Sequence, residues 1–330
     1  MIPERSRVVW WNGQFVPEAD ARLSIYDSAL MFGDMVFEMT RSFGKVQFKL
    51  REHLERLSQS AKAVELPLPF SFTELEAAAQ QTIQANESLC TADDEHRLMI
   101  NVTRGLLSIY EGVVGVPKGP QVIMADFPLR WTVAGMGELF DAGIHAVIPS
   151  QRAIPASLLD PKVKHRSRLH YFKANLEVSR WQGSHNWALL LDPNGFITEG
   201  TGSNFFLVKG RQLITPLGQN VLRGISRHYV MEELARQLEL RVAEDQLESY
   251  DVLQADEAFM TATPFCLLPV TQLNGQPIGA GTPGPVTQAL LAQWSRNVGI
   301  DIVEQIKQWD RVRTTPPAAG VSPYVFGTAR

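Results

Sequence analysis

The stretch 160–206 decides how this chain folds. It reads D-P-K-V-K-H-R-S-R-L-H-Y-F-K-A-N over 160–175, W-A-L-L-L over 187–191, D-P-N-G over 192–195 and F-I-T-E-G-T-G-S-N-F-F over 196–206. A polar turn opens it, a short helix follows, and an apolar strand then doubles back through D-P-N-G into a second strand. Two side chains stand out. Lys164 lies just past an Asp-Pro turn, and Glu199 ends a strand and is followed at once by glycine. An amine condenses with an aldehyde, and a carboxylate holds a ring nitrogen protonated, so the pair suits a pyridoxal 5'-phosphate (PLP) site.

Upstream, V-V-W-W-N-G-Q-F-V-P predicts a hairpin turning at Asn12-Gly13. An extended segment over 37–43 turns at Gly44-Lys45, and apolar residues at helical spacing predict a helix over 50–64. A second helix is expected from Ser71, with S-F-T-E as its cap, and strands over 97–105 and 121–127. This is a small two-layer α+β domain, residues 1–127, and Pro/Gly clustering over 128–137 reads as a linker. The larger α/β domain, 138–300, begins with a strand in G-I-H-A-V-I-P-S. It continues through a helix over 168–182, the hairpins already quoted, a long amphipathic helix after L-R-G-I-S-R, two strands around T-A-T-P, and a closing helix over 286–297. Residues 301–330 read as an extension outside this fold, with a poorly ordered tail around Pro316, Pro317 and Gly320.

The length suits two domains, and an apolar fraction of 45% against 20% charged supplies an ordinary core. A net charge of −4 without a basic run argues against a nucleic-acid partner. No segment reaches the roughly 18 apolar residues of a membrane span. The N-terminus lacks the apolar region of a signal peptide, and two isolated cysteines make neither a disulfide framework nor a metal or redox motif. A cytoplasmic, metal-free protein is expected.

Taken singly, each candidate has a bland reading. Lys164, like Lys162 and Lys173, reads as a solvated charge, and Glu199 as a turn cap. Gly224 before a helix, with Ser226 in its first turn, reads either as a plain cap or as a phosphate cradle of free N–H groups at the positive end of the helix dipole. Arg56 reads as a fork donor for phosphate or as a surface partner of Glu52.

Together, W-N-G-Q-F-V, F-G-D-M-V-F-E, R-E-H-L-E-R-L, I-N-V-T-R-G, the D-P-x-V-K lysine, I-T-E-G-T-G-S-N-F-F, L-R-G-I-S-R and T-A-T-P-F-C-L-L-P-V occur in an order that resembles the class IV, fold-type IV PLP-dependent aminotransferases across residues 8–297. The resemblance implies a small α/β domain beside a larger pseudo-barrel domain, with the site between them and completed in a homodimer or higher homo-oligomer. It implies that Lys164 is the Schiff-base lysine, chosen over Lys162 and Lys173 by its distance to Glu199. Glu199 then pairs with the pyridine nitrogen. Arg56, Ile225, Ser226 and Thr263 hold the phosphate, and Leu222 packs near the ring. Phe32, Arg97 and Ala262 face the substrate. The implied reaction is ping-pong amino transfer between an amino donor and a 2-oxo acid, branched-chain-like.

The chain departs from the branched-chain pattern at H-R-S-R-L, which replaces the G-G-N-Y that usually follows the lysine, and at Phe32, which stands in place of a tyrosine. D-amino acid and (R)-amine transaminases and a 4-amino-4-deoxychorismate-type lyase on the same fold are therefore the alternatives. A nicotinamide-dependent oxidoreductase is a remote one, since Gly135-Met136-Gly137 and Gly200-Thr201-Gly202 complete no G-x-G-x-x-G. A binding protein without catalysis is opposed by the presence of both Lys164 and Glu199.

Overall fold

Asn12 and Gly13 adopt φ of 46° and 92°, and this turn pairs β1 (Val8–Trp11) with β2 (Gln14–Pro17) as the N-G dipeptide predicts. These elements belong to a computed structural model that describes residues 6–313. It divides into two compact units: residues up to Trp131 together with Val163–Arg168, and Thr132–Lys162 together with residues from Leu169 onward. The division falls within the 128–137 stretch. The short piece 163–168, numbered with the second domain in the sequence reading, groups with the first unit. Its backbone is the reason. Phe37 N–H donates to Lys164 O at 2.9 Å, Arg166 N–H donates to Met35 O at 2.9 Å, and Lys164 N–H donates to Ser60 Oγ at 3.1 Å.

The first unit adds β3 (Met35–Met39), β4 (Ser42–Phe43), β5 (Val46–Gln47), β6 (His96–Thr103) and β7 (Gln121–Pro128). Its antiparallel sheet runs β2-β1-β7-β6-β3, and β4 and β5 pair separately across Gly44 and Lys45. Because strand side chains alternate, Leu98, Ile100 and Val102 of β6 bury one face against the helices Leu50–Ala63 and Phe72–Asn86, with Leu54, Leu57 and Leu75. The second helix starts where predicted: Ser71 and Glu74 make a reciprocal capping box. Arg97, Met99 and Asn101 point to the other face of the same sheet.

The second unit contains β8 (Ile144–Val147), β9 (Asn186–Leu191), β10 (Ile197–Gly200), β11 (Asn204–Lys209), β12 (Gln212–Pro216), β13 (Arg241–Asp245), β14 (Glu257–Ala262), β15 (Cys266–Leu273) and β16 (Gln276–Pro277). Six of them pair in a ring, β10-β9-β8-β15-β14-β11, which closes where Glu199 of β10 meets Asn204 of β11. β12 and β13 extend the sheet from the far half of β11. This ring is the barrel-like part of the fold. β8 pairs in parallel with both β9 and β15.

Three details differ from the sequence reading. The helix expected over 168–182 is Leu169–Val178, because Asn186 Nδ2 ties the carbonyls of Trp181, Gln182 and Gly183 into a turn. The long helix after L-R-G-I-S-R starts as Ile225–Tyr229 but passes through a π turn at Val230–Leu234. The segment from 301 is not outside the fold at its start. Asp301 caps a helix Ile302–Arg311 that buries Ile302, Ile306 and Trp309, which share one helical face. The tail around Pro316 lies outside the described residues. Among those residues, no helix is long and apolar enough to cross a membrane.

Candidate active site

Glu199 is the best-defined chemical group of the second unit. Only 5% exposed, it sits at the barrel seam, where the hairpin register sets Asn204 opposite it. Tyr171 Oη donates to one carboxylate oxygen at 2.8 Å, and Asn204 Nδ2 and Leu222 N–H each donate to the other at 3.0 Å. Asn204 Nδ2 also donates to Leu222 O at 2.8 Å, so strand and loop share one donor. A buried carboxylate is tolerated only with such partners, and these three fix its orientation.

The same loop leads into the helical run that begins at Ile225. Gly224 is its N-terminal cap residue, with extended backbone (φ −65°, ψ 137°). A Cβ there would run into Asn204 Oδ1, so glycine is required by close approach and not by φ. The first N–H groups of a helix have no acceptor within it, and Ile225 and Ser226 occupy that turn, with Ser226 buried. Ala262 ends β14 and is buried, and Thr263 begins the half-buried turn into β15. Leu222, Ile225, Ser226 and Glu199 are thus brought together by one seam and one loop. Tyr171 and Asn204 escaped the sequence reading. Asn204 was legible in principle, since a tight hairpin at T-G-S sets it opposite Glu199.

In the first unit, Lys164 follows buried Val163, and its Nζ lies 5.0 Å from the centre of the Phe37 ring. Arg56 does not pair with Glu52, which takes Lys49 instead at 3.0 Å. Its guanidinium grips buried Glu38 with both arms, Nε to Oε1 at 2.6 Å and Nη2 to Oε2 at 2.9 Å. His53 Nδ1–H donates to the same Oε2 at 2.7 Å. Burial alone would raise the Glu38 pKa, but Arg56 and His53 outweigh it and hold the carboxyl well below the usual carboxylate range. Burial pushes His53 the other way, down and towards the neutral ring, and the Arg56 and Lys164 charges add to that. Periodicity placed Arg56 and His53 on one helix face but gave no sign of Glu38 between them. Phe32 ends the short helix Ser28–Phe32 and is exposed.

Arg97 is 7% exposed on β6, and its Nε and Nη1 have no hydrogen-bond partner among the described residues. Its Nη2 donates to Met39 Sδ, at 3.6 Å. Burial, with the charges of Arg41 and Arg166, pushes its pKa down to about 9.

Residues 35–273 match the Amino-transferase class IV family. The branched-chain-amino-acid aminotransferase of Salmonella typhimurium is 32% identical over 304 residues, covering 88% of this chain and 92% of that protein. Among solved structures, the Escherichia coli branched-chain amino acid aminotransferase superposes with a TM-score of 0.77 at 30% identity, covering 89% of this chain and 94% of that one. A branched-chain aminotransferase from Thermobaculum terrenum, solved in its PLP form, gives 0.76 at 26%, covering 93% and 98%.

Proposed function

Because the chain belongs to the class IV aminotransferases, we propose that it binds PLP through Lys164 and moves amino groups between branched-chain amino acids and 2-oxo acids. The observation that carries this is the buried Glu199 carboxylate, oriented by Tyr171, Asn204 and Leu222. A carboxylate so held fits the protonated nitrogen of a pyridine ring, and the helix start that shares its loop fits a phosphate. Bound PLP supplies an electron sink for the bond broken at the substrate's Cα.

The chain's own residues do the remainder. Lys164 Nζ would hold the cofactor and, once released from it, would serve as the base that accepts and gives back the proton at the substrate's Cα. Glu199 keeps the ring nitrogen protonated. The Ile225 and Ser226 N–H groups, the Ser226 and Thr263 hydroxyls and Arg56 would hold the cofactor's phosphate. Glu38 positions Arg56. Leu222 packs near the ring, Phe32 and Ala262 border the substrate, and Arg97 receives a side-chain carboxylate when the acidic partner of the ping-pong pair is bound.

The exposed apolar side chains Ile25, Leu30, Phe32, Ile109 and Val114 of the first unit support a homodimer, readable by analytical ultracentrifugation. Two free cysteines fit a reducing, cytoplasmic setting. Lys164→Ala should lose the visible absorption band of the loaded enzyme and lower turnover by roughly a thousandfold or more. Turnover at the native rate in that variant would sink the assignment.

A further inference from the structure

One stripe of the helix Leu50–Ala63 is polar and yet buried. His53, Arg56 and Ser60, spaced three and four residues apart, are 1%, 8% and 2% exposed. His53 and Arg56 both meet Glu38 of β3, and Ser60 Oγ accepts the Lys164 N–H at 3.1 Å. Glu52, next to His53 in the chain, is engaged with Lys49. His53 differs from the other two. Its Nδ1–H is committed to Glu38 at 2.7 Å, while its Nε2 is buried with no hydrogen-bond partner among the described residues. Burial, and then the Arg56 and Lys164 charges, keep the ring neutral against the pull of Glu38. With Nδ1 carrying the hydrogen, Nε2 of a neutral ring presents a lone pair, which can accept from a donor but offers nothing to an anion.

We propose that His53 takes up a proton at Nε2 when a phosphate group binds beside Arg56, so that the phosphate recruits a second cation of its own. The new N–H bond forms with a proton drawn from the solvent, and Glu38 keeps its hold on the opposite side of the ring. The charges that bear on His53 from the surrounding elements are one negative, Glu38, and two positive, Arg56 and Lys164. A phosphate ester adds close to two negative charges and reverses that surplus. An imidazolium then restores the balance and turns Nε2 from a lone pair into a charge-assisted donor. A neutral histidine one helical turn from the phosphate-holding arginine is thereby a proton-linked part of the cofactor site. All of these residues belong to the first unit. The inference rests on the reading that Arg56 holds the cofactor's phosphate.

The test follows protons and not turnover. The full-length protein, freed of cofactor, is titrated by calorimetry with pyridoxine 5'-phosphate, whose alcohol forms no bond to Lys164. Buffers of different ionisation heat are compared at about pH 7.5, where the ester is mostly dianionic. The wild type should take up about one proton more per ligand than His53→Gln. Its affinity should weaken by up to about tenfold per pH unit as pH rises, and by less in the variant. Inorganic phosphate should show the same difference in uptake, and pyridoxine, which lacks the phosphate, none. Equal uptake in wild type and His53→Gln overturns the proposal, and so does a difference that pyridoxine alone reproduces. If His53→Gln fails to fold, the histidine ring-nitrogen resonances of isotope-labelled wild type decide. The phosphate ester should turn one neutral ring into an imidazolium, and an unchanged set of resonances overturns the proposal. Proton uptake with inorganic phosphate in a protein that never takes up PLP would sink the transaminase reading and leave the coupling standing, whereas PLP binding without that proton sinks the coupling alone.

Discussion

Glu38 shows how much can depend on one carboxylate that no motif singles out. It is fully buried and answers both Arg56 and His53. Glu38→Gln removes the counter-charge and leaves the Arg56 guanidinium, 10% exposed, without it. We expect a loss of roughly 3–5 kcal/mol in unfolding free energy by denaturant titration, together with weaker retention of PLP on dialysis. The pH dependence follows from the depressed pKa. Glu38 binds its proton less readily folded than unfolded, so its contribution is present above the ordinary carboxylate value of 4.5 and is lost as pH falls below it. The acid limb of the stability curve should therefore be shallower in Glu38→Gln than in the wild type. Lys164, Glu199 and Arg56 stood out in the sequence because their flanking residues are distinctive. Glu38 and Tyr171 did not, since their importance comes from contacts 15 and 28 residues away along the chain.

At the scale of elements, the start of the helical run at Ile225 and the seam of the barrel form one device. Gly224 lets the loop pass close enough for Asn204 to bridge Glu199 and the Leu222 carbonyl. Gly224→Ala needs no unusual φ, so the helix should form and the melting temperature should fall only modestly. The added methyl group must displace the Asn204 amide and with it the grip on Glu199. We expect kcat to fall about 10–100-fold, with the pH profile of the cofactor's absorption band shifted. An unshifted profile with native kcat would show that the Asn204 bridge is dispensable. Elements were the most legible level of all. The N-G hairpin, the capped helix after Ser71 and the strands flanking D-P-N-G each carry a local signal. What was not legible depended on tertiary partners: the π turn at Val230–Leu234 and the early end of the helix at Val178, beyond which Asn186 gathers the carbonyls of Trp181, Gln182 and Gly183.

For the molecule as a whole, the class and the two-part organisation were readable from motif order, but the return of Val163–Arg168 to the first unit was not, because a single backbone ladder against β3 decides it. One prediction belongs to this scale. In the first unit, His96 lies between Asp126 Oδ2 at 2.8 Å and Glu87 Oε2 at 2.5 Å, joining β6, β7 and the end of a helix. Burial opposes its charge, but the hydrogen bond that its Nδ1–H donates to Asp126, with the one to Cys90, pushes it up to about 10 from 6.5. A raised pKa means that this stabilisation is complete below 6.5 and lost as pH rises through about 10. The first unit should lose roughly 1.5–3 kcal/mol over that window, followed by melting at a series of pH values, and His96→Gln should flatten the slope. The barrel carries a last consequence, a kinetic one. Its seam is a hairpin whose paired residues, Glu199 and Asn204, are near neighbours in sequence, so ring closure is entropically cheap. The parallel pairing of Ile144 with Val270 spans more than a hundred residues and includes the excursion that bears Lys164. Refolding of the barrel should therefore be paced by the joining of β8 to β15, which pulse-labelled hydrogen exchange would read as late protection of Ile144–Val147.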